Sequence, residues 1–205
     1  MARAFISLDG IDGTGKSTQC ALLADWLTQR GHEVVVCTDP GGTALGQELR
    51  TILLHHKHDL APACEALLFM ASRAQLVREV IRPALEAGKV VVSDRFTLAN
   101  VVYQGHAGGL DVEQLWRIGD FAAGGLVPDL VLVLDLPIDV ARQRRDRAED
   151  RMERRPPDFH ERVRAGFRHE AARCPERIRV IDARPGVDEV QAAIRREVAA
   201  VVGGA

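Results

Sequence analysis

The chain has 205 residues, of which 46% are hydrophobic and 27% are charged, so it falls outside the disordered and collagen-like classes, and we expect one domain, residues 1–205. Its formal net charge of -2 gives no electrostatic reason to expect nucleic-acid binding. No apolar run approaches the ~18 to 20 residues of a membrane span or reads as a signal peptide, so we expect no membrane contact and a cytoplasmic location.

Five short apolar runs rich in β-branched residues are predicted strands. They are nearly continuous in hydrophobicity, as strands of a parallel sheet covered on both faces are. The runs occupy residues 4–9, 33–38, 89–94, 130–135 and 179–183. Because helical patterns alternate with them, the sequence predicts an α/β fold with a doubly wound five-stranded parallel sheet and helices on both faces.

The predicted helices lie between and after these strands. The first directly follows the first strand and stops at Gly31, and the second stops at Gly88 despite Pro83 near its end. The helical patterns cover residues 16–30, 61–87, 111–123, 138–147, 159–173 and 187–202.

The turn between the first strand and the first helix matches the phosphate-binding pattern GxxxxGK[ST]. Its glycines let backbone N–H groups face the phosphates, and the helix N-terminus adds the positive end of its dipole. Lys16 is placed to span the transferred phosphate, and Ser17 to offer a hydroxyl to Mg²⁺. The residues predicted to bind ATP in this loop are Gly10, Ile11, Asp12, Gly13, Thr14, Gly15, Lys16, Ser17 and Thr18.

The surroundings of the loop favour a kinase over a P-loop ATPase or molecular switch. The guanine-binding NKxD tetrapeptide expected of GTPase switches does not occur in the sequence. Phosphoryl transfer needs cations that neutralise the moving phosphate. Residues 142–179 hold 13 arginines against 8 acidic residues, which concentrates positive charge in one region.

Several segments together resemble the thymidylate kinase family of nucleoside-monophosphate kinases over nearly the whole chain. In chain order they read LDGIDGTGKSTQ, DPGGT, LLFMASR, SDRF with YQG, GLVPDLVLVLD and DRMER. The resemblance implies a P-loop dTMP kinase of dTTP biosynthesis that converts ATP and dTMP to ADP and dTDP with Mg²⁺. It also implies a homodimer and a short arginine-rich lid within about residues 142–157. A deoxynucleoside kinase or another nucleoside-monophosphate kinase is the alternative.

The resemblance assigns a base pocket to residues of the predicted helix 61–87 and of the YQG segment. It implies that the thymine ring stacks on Phe69 and that Arg73 donates to a base carbonyl. These two residues are four apart, so they share one helix face, and a buried guanidinium requires an acceptor. Asn100 and Gln104 complete the polar lining of this pocket.

The remaining acceptor contacts concern the phosphate and the sugar of dTMP. The resemblance implies that Arg50 and Arg95 hold the phosphate, a task that suits the planar fork of a guanidinium. Asp12 and Asp39 match acidic positions near the sugar 3′-hydroxyl. Tyr103 is expected to press against C2′ and leave no room for a ribose hydroxyl.

Catalysis is assigned to residues on both sides of the transferred phosphate. Asp94 ends the third strand at the sheet edge where such folds bind ligands, and together with Ser17 it is the predicted metal site. Thr14 stands where one subgroup of the family has a basic residue, so lid arginines are expected to supply that charge. The predicted catalytic residues are Lys16, Arg95, Asp94, Arg151 and Asp12, with Arg145 and Arg147 as further lid candidates for ATP binding.

Two segments depart from the family pattern, at positions 38–39 and at position 99. Thr38 and Asp39 replace the usual Arg-Glu pair, which removes a cation and shortens a carboxylate. Ala99 stands where a base-pocket serine is common. The sequence therefore leaves open how strictly the site selects dTMP over dUMP or other monophosphates.

Overall fold

A five-stranded sheet lies at the centre of the computed structural model, which describes residues 3–55, 59–144 and 149–203. The strands are β1 Ala4–Asp9, β2 Val34–Thr38, β3 Val90–Asp94, β4 Leu130–Asp135 and β5 Ile178–Asp182. They are ordered β2-β3-β1-β4-β5, and every neighbouring pair is parallel. The predicted doubly wound sheet is confirmed, with each strand within one residue of its predicted bounds.

Helices cover both faces of the sheet. They are α1 Lys16–Gln29, α2 Ala44–His55, α3 Pro62–Leu76, α4 Arg82–Glu86, α5 Thr97–Asn100, α6 Val112–Ala123, α7 Ile138–Gln143, α8 Pro157–Arg173 and α9 Val187–Val202, with π-helical turns at Val77–Ile81 and Val101–His106. None of the helices in the described part of the chain combines the length and apolarity needed to cross a bilayer.

The central strand β1 joins the two halves of the core because its successive side chains point to opposite faces. Ile6 and Leu8 pack in one cluster with residues of α1, α8 and α9. On the other face, Phe5 meets Phe96 edge to face, with ring centroids 4.9 Å apart. The contact between Phe5 and Phe96 fixes the chain just beyond the carboxyl end of β3, next to the predicted site residues Asp94 and Arg95.

The helix predicted over residues 61–87 is interrupted. A π-helical turn, Val77–Ile81, separates α3 from α4 immediately before Pro83. Proline lacks a backbone N–H, and its ring clashes with the carbonyl four residues earlier, so the chain adjusts its hydrogen bonding there. The prediction of one regular helix was therefore wrong at this point.

Three further differences concern elements around the site. The α5 segment with its following π-helical turn, Val101–His106, was not predicted, and the helical pattern that ends near His55 was given no bounds, whereas α2 spans Ala44–His55. The helix predicted over residues 138–147 is described only as α7, and residues 145–148 lie outside the described part of the chain.

Candidate functional site

The phosphate-loop sequence lies where it was predicted, between β1 and α1. Gly10 and Gly13 have positive φ angles of 133° and 89°. A Cβ at Gly10 would lie 2.5 Å from the Leu134 carbonyl oxygen, and one at Gly13 would lie 2.1 Å from that of Ala141. Only glycine therefore fits either position, and the backbone of the loop is held tightly against β4 and α7.

Lys16 begins helix α1 and is almost completely buried. Its Nζ donates to the Ile11 carbonyl oxygen at 2.9 Å and lies 3.9 Å from Asp12 Oδ1. Burial lowers the pKa of the Lys16 ammonium, and the nearby Arg95 guanidinium lowers it further, whereas Asp12 raises it. An anion bound in the loop would oppose this desolvation and favour the charged lysine.

The two predicted metal-binding side chains meet at the carboxyl end of β3. Ser17 Oγ donates to Asp94 Oδ2 at 2.6 Å, although the two residues belong to α1 and β3. A hydroxyl and a carboxylate are hard oxygen donors of the kind that Mg²⁺ binds alongside phosphate oxygens and water. The donor set of this pair therefore fits Mg²⁺.

Arg95 connects the phosphate loop to the tyrosine of the acceptor side. Its guanidinium donates to Asp12 Oδ1 at 2.8 Å and to the Gly10 carbonyl oxygen at 3.0 Å, and it lies 5.1 Å from the centre of the Tyr103 ring. Arg95 has φ 71°, a left-handed backbone that is strained for a non-glycine residue and typical of functional sites. Burial raises the pKa of the Tyr103 phenol, with Asp12 also raising it and Arg95 opposing.

The predicted base-binding residues form a buried polar cluster. Arg73 is 1% exposed, and its Nε donates to Asp39 Oδ2 at 2.6 Å. Its Nη1 donates to Asn100 Oδ1 at 3.2 Å, while Asn100 Nδ2 donates to Gln104 Oε1 at 2.6 Å. Arg73 and Asp39, which were assigned to the base and the sugar separately, are thus partners of each other in this structure.

A cavity of about 1120 Å³ joins these groups. It runs from the phosphate loop past Asp94 and Arg95 to the polar cluster, where Phe69, Arg50 and Ala99 also face it. Every residue predicted to bind dTMP lines this cavity, and so do loop residues 12–18. Gly10 and Ile11, the first two residues of the loop, do not line the cavity.

The cavity is also lined by residues that the sequence analysis missed, and one of them, Val187, accepts a hydrogen bond from Gln19 Nε2 of α1 at 3.0 Å through its carbonyl oxygen. They follow β5 or begin α9, except for Arg144, whose Nη1 donates to the Ala183 carbonyl oxygen at 2.9 Å. This group consists of Arg144, Ala183, Pro185, Gly186, Val187 and Val190. Except for Arg144, their position at or after the end of the predicted fifth strand could have identified them, because loops at the carboxyl ends of parallel strands line the ligand crevice in such sheets.

Arg151, predicted to act in transfer, does not line the cavity. Its Nε donates to the Leu53 carbonyl oxygen at 2.8 Å, and its Nη2 lies 2.6 Å from Glu65 Oε2. Its neighbours Asp150 and Met152 do face the cavity. Arg145 and Arg147 lie outside the described residues.

Asp9, at the end of β1, is a buried carboxyl group beside the loop. Ser7 Oγ donates to its Oδ2 at 2.5 Å, and its Oδ1 has no hydrogen-bond partner among the described residues. Burial raises the pKa of Asp9 to about 6, while Ser7, Arg95 and Lys16 oppose the shift. Because this pKa lies above the value of 3.8 for a free aspartate, ionisation of Asp9 opposes folding.

We expect Asp9→Asn to stabilise the protein at neutral and alkaline pH. In the wild type, the cost of ionising buried Asp9 appears as pH rises from 3.8 through 6. Two pKa units correspond to roughly 3 kcal/mol, so at pH 8 the free energy of unfolding of the variant should exceed that of the wild type by up to that amount. The gain should vanish below pH 4. Urea denaturation at pH 4, 6 and 8 measures it, with Asp25→Asn on the exposed face of α1 as the control. A gain that does not depend on pH would contradict the assignment.

Comparison with known proteins gives a consistent result. A sequence model described as thymidylate kinase matches residues 8–194. The chain is 46% identical over 195 residues to a thymidylate kinase of Kosmotoga olearia, covering 94% of both chains. It is 51% identical over 186 residues to one of Clavibacter sepedonicus, covering 89% of this chain and 88% of the relative. The crystal structure of thymidylate kinase from Ehrlichia chaffeensis is similar with a TM-score of 0.81 at 28% identity, over 97% of this chain and 100% of that one.

Proposed function

The chain belongs to the thymidylate kinase family, and from that premise we propose how its residues transfer the γ-phosphoryl group of ATP to dTMP, giving ADP and dTDP. The enzyme is an ATP-dependent nucleoside-monophosphate kinase. The observation that carries the residue assignment is the cavity that connects the phosphate loop, through Arg95, to the buried polar cluster. The family match supports this reaction and not that of a deoxynucleoside kinase or a P-loop ATPase.

The donor side consists of the phosphate loop and the lid. Backbone N–H groups of the loop and the N-terminus of α1 hold the triphosphate, and Lys16 contacts the phosphoryl group that moves. Arg151 turns from the lid to neutralise charge in the transition state, with Arg145 and Arg147 as the alternative cations. Ser17 and Asp94 would hold Mg²⁺, which when bound neutralises part of the charge on the triphosphate.

The acceptor side places dTMP against the other half of the cavity. Phe69 stacks on the thymine ring, while Arg73, Asn100 and Gln104 supply hydrogen bonds to its edge. Arg73 already neutralises buried Asp39, so it can donate to the base only with the nitrogens that this carboxylate does not use.

The phosphate and the sugar of dTMP meet a second group of side chains. Arg50 and Arg95 hold the phosphate, and Arg95 is itself fixed by Asp12 at 2.8 Å. Asp12 and Tyr103 face the sugar. Because the acceptor oxygen and the γ-phosphorus must approach in line, fixing both ends supplies much of the catalysis without a covalent intermediate.

A panel of acceptors tests this assignment. With Mg²⁺ and ATP, we expect dTMP to give the highest rate of ADP formation and dUMP a lower one. We expect dCMP, thymidine and TMP, the ribonucleotide that carries a 2′-hydroxyl, to give rates little above background. TMP should fail because Tyr103 occupies the space of a 2′-hydroxyl, and thymidine because it lacks the phosphate that Arg50 and Arg95 bind. Faster turnover of thymidine than of dTMP would instead indicate a deoxynucleoside kinase.

We further propose one kinase domain over residues 1–205, a lid within about residues 142–157, and a cytoplasmic homodimer. Helix α3 packs against both α2 and α6, and each of these three helices exposes at least one large apolar side chain. Phe121 on α6 is 86% exposed and Leu67 on α3 is 54% exposed, and a second copy would cover them. All four cysteines are free thiols, which suits a reducing compartment.

A further inference from the structure

Glu65, in the first turn of α3, is a buried carboxylate to which the sequence assigned no role. It is 1% exposed, and three side chains reach its two oxygens. Arg155 Nη2 donates to Oε2 at 2.8 Å and to Oε1 at 3.0 Å, and Gln104 Nε2 donates to Oε1 at 2.9 Å. Arg151 Nη2 lies 2.6 Å from Oε2. Among the described residues, one carboxylate therefore contacts two guanidinium groups.

The two arginines are held in different ways. The Arg155 guanidinium hydrogen-bonds to both carboxylate oxygens and also lies 4.6 Å from the centre of the Phe159 ring. Arg151 Nη2 is buried and reaches one carboxylate oxygen, Oε2, at 2.6 Å. Its Nε is hydrogen-bonded to the Leu53 carbonyl oxygen. Arg155 therefore contacts both oxygens of Glu65, whereas Arg151 contacts one.

We propose that Glu65 is a positioning residue that holds Arg151 of the lid against α3 and releases it to the transferred phosphoryl group, with Arg155 remaining on the carboxylate. This inference rests on the role in transfer that is proposed above for Arg151. A buried carboxylate that loses its only cation is strongly destabilised. Since Arg155 stays in place, Arg151 can leave without that penalty.

Gln104 connects the same carboxylate to the acceptor pocket. It donates to Glu65 Oε1 and accepts from Asn100 Nδ2 at 2.6 Å, and Asn100 in turn accepts from Arg73 at 3.2 Å. Gln104 and Asn100 line the cavity, whereas Glu65 lies behind it. The wall of the acceptor pocket therefore orients the carboxylate that holds the lid arginine.

The first test compares two substitutions of Arg155 at saturating ATP and dTMP. In Arg155→Ala, Arg151 becomes the only cation on Glu65, so its release is costly, and we expect kcat to fall about tenfold or more with KM for dTMP changed less than about twofold. Arg155→Lys keeps the charge and is expected to retain at least about half of the wild-type kcat. A wild-type kcat in Arg155→Ala, or an equal loss in both variants, would overturn the proposal.

The second test adds Glu65→Gln to Arg155→Ala. The neutral amide no longer holds Arg151, so we expect the double variant to recover kcat at least about threefold over Arg155→Ala. A purely structural role for Glu65 predicts a further loss instead. Thermal unfolding and circular dichroism verify that each variant is folded, and if the double variant is not, the comparison of Arg155→Ala with Arg155→Lys decides. Failure of the wild type to phosphorylate dTMP would refute the proposed function, whereas absence of recovery in an active enzyme would refute only this inference.

Discussion

Lys16→Ala is expected to lower kcat for dTMP phosphorylation by about 10³-fold or more. Lys16 is the cation of the phosphate loop, and it is held by the Ile11 carbonyl at the start of α1. A preorganised donor aimed at developing charge in a site shielded from water is worth about 10² to 10³ in rate, and this donor also carries a full charge. Steady-state ADP formation with saturating substrates measures the loss.

The control for this variant is Lys89→Ala. Lys89 is partly exposed and pairs with Glu33 at 2.9 Å, at the end of the sheet away from the loop. We expect its kcat to equal that of the wild type. Because burial disfavours the charged form of Lys16, the Lys16→Ala variant should have the same thermal unfolding temperature as the wild type or a higher one. Retention of a tenth of the wild-type kcat in folded Lys16→Ala would contradict the assigned role.

Arg151→Ala is expected to lower kcat about 10³-fold, the magnitude attributed to arginine fingers, with KM for dTMP changed less than about twofold. The reason is that Arg151 is proposed to act in transfer and has no proposed contact with the acceptor. Initial rates over a range of dTMP concentrations separate the two constants.

Arg154→Ala is the matched control, since Arg154 is exposed on the same segment and donates to the Glu149 carbonyl oxygen. Its kcat should equal that of the wild type. A wild-type kcat in Arg151→Ala would transfer the role to Arg145 or Arg147, and would also remove the basis for the inference about Glu65.

The parts of the fold that could be read from the sequence are those governed by local patterns. Buried parallel strands form continuous apolar runs, and the loop at Gly10 and Gly13 needs glycine at fixed spacing. The extent of helix α2 is harder to read, because Leu45 and Ile52 are exposed and Leu53 is its buried leucine. Propensity and periodicity carry little information about such a helix.

The contacts between distant side chains could not be read in the same way. Arg73 and Asp39 were each expected to contact the ligand, but in the structure they form a buried ion pair at 2.6 Å. Glu65 gave no signal, because an acidic residue in the first turn of a helix is common and its partners Arg151 and Arg155 lie in a different segment. Such pairs depend on how the chain folds back on itself.

The central claim is that this chain moves a phosphoryl group from ATP to dTMP, and the fate of the γ-phosphate tests it most directly. The purified protein is incubated with Mg²⁺, dTMP and ATP labelled on the γ-phosphate, and the labelled products are separated. We predict that the label appears in dTDP in proportion to the ADP formed and that the Lys16→Ala variant forms both about 10³-fold more slowly or slower still. Release of the label as inorganic phosphate at a rate that dTMP does not change would contradict the account.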